Sequence, residues 1–321
     1  MSGTEGALGR ARTAASRYRR PLAAALAVVL VALPLFLTTS LLGEVSLVLV
    51  FAMLAFAAIA PIGYAGQLIL SQGAFFGIGA YTFVKTTGAG VPPVLSVGLA
   101  ILLTAVVAYV LGWPATRARG IYLGIITLAF NELFVISLDL FPDFTGGSTG
   151  ISSPDLFPEG LTAVVGADLL YYYLLLVAFV LVYLGFRRVL DSEIGWAFRA
   201  VQEDPTVAES IGVDAQRYRL LAFTLAGAVC GLAGGLYAPM AGYLSPTLFD
   251  LHTSIDVILA GMVGGLAVPL GSVLGGAVVV LVPTILRGFS EYRLAVFGTL
   301  LILLIVFVPQ GIGGWLRDWL G

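Results

Sequence analysis

The stretch GWAFRAVQEDPTVAESIGVDAQRYR, residues 195–219, is a polar island in an otherwise apolar chain. From Arg187 to Arg219 there are 11 charged residues in 33 positions, against 34 in all 321. Long apolar runs flank it on both sides, so its surroundings decide the fold class. Hydrophobic residues make up 59% of the chain and charged ones 11%, with a mean hydropathy of +1.02. Soluble domains carry roughly 25% charge. No soluble core needs this much apolar surface, and the excess must face lipid. The composition therefore predicts an all-α polytopic membrane protein.

A membrane span takes about 20 apolar residues to cross roughly 30 Å of hydrocarbon. Ten segments qualify, in the first half about 21–41, 45–62, 67–86, 93–113 and 120–140. The second half adds about 167–186, 218–238, 254–269, 270–287 and 293–309. The third, eighth and ninth are short or glycine-rich. The run that follows Arg10, Arg12, Arg17, Arg19 and Arg20 has the length of a span and no small-residue cleavage site, so it is read as an uncleaved first helix rather than a signal peptide. With both termini in the cytoplasm, alternation puts 13 of the 16 basic residues inside and leaves Lys85, Arg287 and Arg293 outside. That bias agrees with the positive-inside tendency. The expected organisation is a basic tail over 1–20, a membrane domain over 21–310 with a cytoplasmic loop at 187–219, and a tail over 311–321.

Within the island, DPTVAESIG has the parts of a short helix. Asp204 suits the N-cap, Pro205 the first helical position and Gly212 the C-terminal cap. Val207, Ala208 and Ile211 give it a small apolar face, and Ile194, Ala197, Phe198 and Val201 form a second stripe upstream. So short an amphipathic element gains little alone and needs a surface to pack on. That surface is either its own bundle or a second protein.

Two glycine clusters fall about 200 residues apart. One is GYAGQLILSQGAFFGIGAY with Gly66, Gly73 and Gly77, and the other is GMVGGLAVPLGSVLGG with Gly264 and Gly265. Small residues four apart let helices approach closely in lipid. Glycine-broken segments at matching places in two related halves also point to a transport pathway at the repeat interface. The pathway candidates are Gly66, Gln67, Ser71, Gly73, Gly77, Glu132, Gly264 and Gly265. Glu132 sits in the middle of the fifth span, where an ionisable group defaults to function. The competing reading makes it a hydrogen-bond node with Asn131 or Thr127, and that structural reading is preferred.

The chemistry missing is as informative. There is no phosphate loop, and the only lysine, Lys85, follows Val84. No nucleophile–base motif or metal-ligand spacing occurs, and the single cysteine, Cys230, and single histidine, His252, make no zinc site. The chain is expected to bind no cofactor and no nucleic acid, and to be a pathway without its own energy source.

Five motifs then occur in order: GYAGQLILSQGAFFGIGAYT, YLGIITLAFNEL, TGGSTGI, the loop GWAFRAVQEDPTVAESIGVDAQRYRLLAF, and FVPQGIGG. Together they resemble the branched-chain amino-acid ABC permeases of the larger LivM type over roughly 45–315. The resemblance implies a bacterial plasma-membrane permease subunit paired with a second, shorter permease, two cytoplasmic ATPases and an extracytoplasmic binding protein. It implies that 187–219 holds a coupling helix, with Val207, Ala208 and Ile211 docking on an ATPase, Glu203, Asp204 and Glu209 in polar contact with it, and Gly212 ending it. ATP would be used by the partner subunits. Gly146, Gly147 and Gly150 would belong to an outer loop facing the binding protein. Trp196 and Gln202 depart from the family, which usually carries arginine there. The substrate implied is a branched-chain or related small amino acid. Urea and short-chain amides are the alternative within the same complex type, and a stand-alone ion-coupled carrier using Glu132 is the alternative outside it.

Overall fold

A computed structural model describes residues 30–35, 37–118, 120–265, 271–286, 298–299 and 311–320. Most of the first and tenth expected spans, and the 1–20 tail, lie outside them. The described α-helices of six residues or more are α1 (Thr39–Ala58), α2 (Gln72–Gly88), α3 (Pro93–Ala115), α4 (Ile121–Leu140), α5 (Glu159–Val165) and α6 (Ala167–Leu190). They continue with α7 (Glu193–Glu203), α8 (Pro205–Ser210), α9 (Ala215–Ala241), α10 (Leu251–Gly264), α11 (Gly271–Ile285) and α12 (Gly311–Leu320). The protein is thus an all-α polytopic membrane protein.

Among the described residues, six apolar stretches have the length to cross a membrane: Leu41–Tyr64, Pro93–Ala115, Ile121–Leu140, Ala167–Leu190, Ala215–Ala241 and Pro246–Gly264. The third expected span needs correction. Helix α2 starts only at Gln72 and has 17 residues, which is about 25 Å at 1.5 Å per residue. Before it, α1 opens into a wide π turn over Ile59–Tyr64 around Pro61, whose ring has no N–H to give to a tighter turn. The chain then leaves the helix from Gly66 to Ser71. The ninth span is also short, 15 residues in α11.

The bundle is organised around α9, which packs along α2 and α3 and also touches α1. Small residues set these distances. A side chain on Gly231 would strike Thr104 and the Ala100 carbonyl, and one on Gly79 would strike the Gly231 backbone. Helix α1 packs on α11, α6 and α10, with a side chain on Gly276 meeting Ala52 and Val48. Phe56, Phe75, Phe83, Tyr172, Phe223 and Phe249 are fully buried between these helices. By contrast α3 turns Val94, Leu95, Leu102, Val106 and Val110 outward, an apolar surface suited to lipid.

The two ends of the bundle differ. At one, Gln216 at the foot of α9 donates to the Trp113 carbonyl (3.2 Å) and the Thr116 hydroxyl (2.9 Å), and Gly66 faces Gln202. This is the charged end, formed by the island. At the other, β1 (Ile151–Ser152) pairs antiparallel with β2 (Tyr243–Leu244), in register Ile151 to Leu244 and Ser152 to Tyr243.

Candidate functional site

At the charged end, α7 lays Ala197, Phe198 and Val201 inward. Phe198 joins Phe56, Phe186, Leu190 and Ala222, so the helix is seated on the ends of α1, α6 and α9. Arg199 donates to the Leu190 carbonyl at 3.2 Å and ties α7 to α6. The stripe read from the sequence therefore finds its surface within the same chain.

Helix α8 then stands as a short peg. The Asp204 carboxylate accepts from the Thr206 N–H (2.7 Å) and the Val207 N–H (3.2 Å). These donors, Thr206 first, hold its carboxyl below the usual range. The peg ends at Gly212, with φ +88°, a conformation that a side chain would strain. There the Val213 N–H returns to the Ala208 carbonyl at 3.0 Å.

The apolar face is split in two. Val207 and Ile211 point outward, 59% and 70% exposed, whereas Ala208 is 1% exposed and packs on Val201 and Ala215. The expectation that all three share a docking face is corrected for Ala208. Its small side chain lets the peg lie close to the roots of α7 and α9. Glu203, Asp204 and Glu209 are exposed around the peg.

A second constellation lies in the interior. Helix α4 carries Thr127 and Asn131 one turn apart, both fully buried. The Thr127 hydroxyl accepts from the Leu70 N–H at 3.0 Å, and the Asn131 side-chain oxygen accepts from the Ala74 N–H at 2.7 Å. Ser254 of α10 accepts from the Gly73 N–H at 2.8 Å and donates to the Asn131 oxygen at 3.2 Å. The Asn131 amide donates to the Phe249 carbonyl at 3.3 Å. Three N–H groups around the start of α2, which a helix cannot satisfy internally, are thus capped by α4 and α10. Gly73 and Gly77 are needed because Phe249, Asp250 and Phe134 come too close for a side chain.

The expected node exists, but Glu132 is not in it. Thr127 and Asn131 make the bonds, while Glu132 is exposed on the outer face of α4, in line with Ile125, Ala129, Ile136 and Asp139. Helix α10 presents His252 and Ile255 to the outside, and the Asn131–Ser254 bond holds that helix beside α4. Next to the node, Gln67, Ser71 and Gln72 are buried with side-chain atoms that meet no hydrogen-bond partner. Gly264 packs against Gly271, and Gly265 (φ +99°) packs against Gly311, so this pair fastens α10 to α11 and α12. Sequence reasoning named the glycines but missed Ser254. A serine one turn into a span, next to an Asp250 whose carboxylate caps Thr253, was the available signal.

At the opposite end, Gly146, Gly147 and Gly150 shape their loop more than they expose it. Gly150 has φ +71° and lies against Leu244 and Tyr243, and the exposed residues there are Ser148 and Thr149.

The branched-chain amino acid transport system / permease component family matches residues 40–308. The high-affinity branched-chain amino acid transport system permease protein LivM of Escherichia coli is 33% identical, covering 90% of this chain and 73% of its own. The probable LivM of Methanocaldococcus jannaschii is 27% identical over 74% of this chain and 77% of its own. The probable LivH of the same organism is 30% identical over 44% and 46%. No solved structure gives a significant match.

Proposed function

This chain belongs to the branched-chain amino acid transport permease family, and from that premise we propose that it forms the membrane pathway for branched-chain or related small amino acids in an ATP-driven importer. It is a transport subunit, not an enzyme, and binds no cofactor itself. ATP is hydrolysed by two cytoplasmic partner subunits. The charged end faces the cytoplasm of a bacterial cell, and ten spans with both termini inside complete the topology. The likeness to proteins named LivM and LivH supports pairing with a second, homologous permease. An extracytoplasmic binding protein delivers substrate to the loops around Gly150 and β2.

The observation that carries this reading is the capped peg with Val207 and Ile211 turned outward and Ala208 locked inward. An exposed β-branched pair on a two-turn helix, with its N-terminus pinned by Asp204 and its root fixed on α7 and α9, suits transmission of force better than a loose loop. The pathway runs along the outward face of α4 around Glu132 and the neighbouring face of α10, closed by the second permease. A carboxylate in the middle of a span is costly in lipid, and a facing subunit relieves that cost.

Val207→Asp with Ile211→Asp should abolish ATP-driven uptake and release the ATPases during co-purification while the permease stays monodisperse. Unchanged uptake would overturn the docking role. Accumulation of leucine by the lone chain in vesicles under an ion gradient, without ATPase subunits, would overturn the importer reading.

A further inference from the structure

Helix α3 carries an outward stripe that is apolar from Val94 through Leu95, Leu102, Val106 and Val110 to Trp113. These residues span nineteen steps, about 28 Å at 1.5 Å per residue, against roughly 30 Å for the hydrocarbon of a bilayer. The stripe thus ends at headgroup height, and it ends on an indole. One turn further, the exposed Arg117 sets its guanidinium 4.2 Å from the centre of the Trp113 ring. Arg117 forms no ion pair among the described residues. The corner is rigid, since Gln216 holds the Trp113 carbonyl and the Thr116 hydroxyl. Trp196, on α7 at the same charged end, is also exposed and lies outside the spans. Indoles favour the membrane–water boundary, which agrees with the stripe ending at headgroup height.

We infer that Trp113 and Arg117 form a binding site for the phosphodiester headgroup of an anionic lipid. Stacking on the indole leaves the edge of the guanidinium free. That planar fork matches two phosphate oxygens in a way that a lysine ammonium cannot. The indole fixes the side chain in advance and buries its own body among acyl chains. The partner is lipid rather than protein because the residues leading to this point form an unbroken lipid-facing stripe of bilayer length.

The test uses the full-length chain carrying Trp196→Phe, Trp315→Phe and Trp319→Phe, which leaves Trp113 as the single tryptophan. It is reconstituted in phosphatidylcholine vesicles containing either brominated phosphatidylglycerol or brominated phosphatidylcholine. The anionic lipid should quench Trp113 at the lower mole fraction. Arg117→Gln should remove that preference, an effect of about fivefold in relative affinity for one basic residue at the surface, and Arg117→Lys should retain part of it. Equal quenching by both lipids, quenching by neither, or a preference unmoved by Arg117→Gln would each overturn the site. Loss of a co-purifying ATPase from Arg117→Gln with lipid preference intact would assign the surface to protein instead. If the triple background does not fold, phosphatidylglycerol retained through detergent purification is compared between the unaltered chain and Arg117→Gln. Equal retention would then sink the inference.

Discussion

Asp204 is a residue on which a whole element depends. Its carboxylate caps two N–H groups of α8, and those bonds lower its pKa from the ordinary 3.8. A group whose folded-state pKa is depressed stabilises the fold above its unfolded pKa, and that contribution is lost as pH falls through the folded value. The peg should therefore keep its cap at neutral pH and fray only in acid. Asp204→Ala should speed amide exchange at Thr206 and Val207 at neutral pH, and Asp204→Ser should restore protection, as measured by hydrogen exchange and mass spectrometry. Gln72 makes the opposite case. Its buried amide has no partner, and such a group costs about 1–3 kcal/mol. Gln72→Met should raise the unfolding temperature of the purified chain, because it removes an unpaired buried amide at nearly the same volume.

At the scale of elements, α2 depends on α4 and α10 for its first turn. Asn131→Leu would strand the Ala74 N–H and the Phe249 carbonyl, at about 1–3 kcal/mol for each, and its cost should show in thermal unfolding of the purified chain. Asn131→Asp, which keeps the accepting oxygen for Ala74, should lose less. Gly79→Leu should destabilise by about 1–3 kcal/mol or more, because overpacking forces backbones apart and the Gly231 backbone has nowhere to move. Much of this was legible in the sequence. The peg could be read from Asp204, Pro205 and Gly212 because capping is local chemistry, and the glycine clusters because close packing leaves only one residue type. The inward turn of Ala208 was not legible, since Val207, Ala208 and Ile211 share one helical arc and only the position of Val201 and Ala215 divides it. The short α2 was hidden for a similar reason. Hydropathy over 67–86 is continuous, and the break rests on Gly66 and on polar groups that reach across to other helices. Glu132 was placed in the node beside Asn131, but adjacent positions on a helix point about 100° apart.

For the molecule as a whole, the outward surfaces of α3 and α4 differ in kind. One is apolar throughout, and the other carries Glu132 and Asp139. With buried Cys230 replaced by alanine, cysteines at Ile125 or Ile136 should cross-link to a second permease in native membranes. A cysteine at Leu102 should not, and should react with a lipid-soluble maleimide instead. Cross-linking at Leu102 alone would reverse the assignment of the two faces. The β1–β2 pair has a mechanical consequence as well. It rivets the segment after α4 to the segment after α9 at one end of the bundle, while the peg is rooted at the other end of α9 through Ala215. Helix α9 has 27 residues, roughly 40 Å of stiff rod. A sideways push at its foot, which Gln216 ties to the end of α3, turns into rotation of the two helices together about the rivet, so displacement shrinks steadily with height. The gate such a lever works best lies near its foot, and the far loops can stay still for a visiting partner while the near end swings.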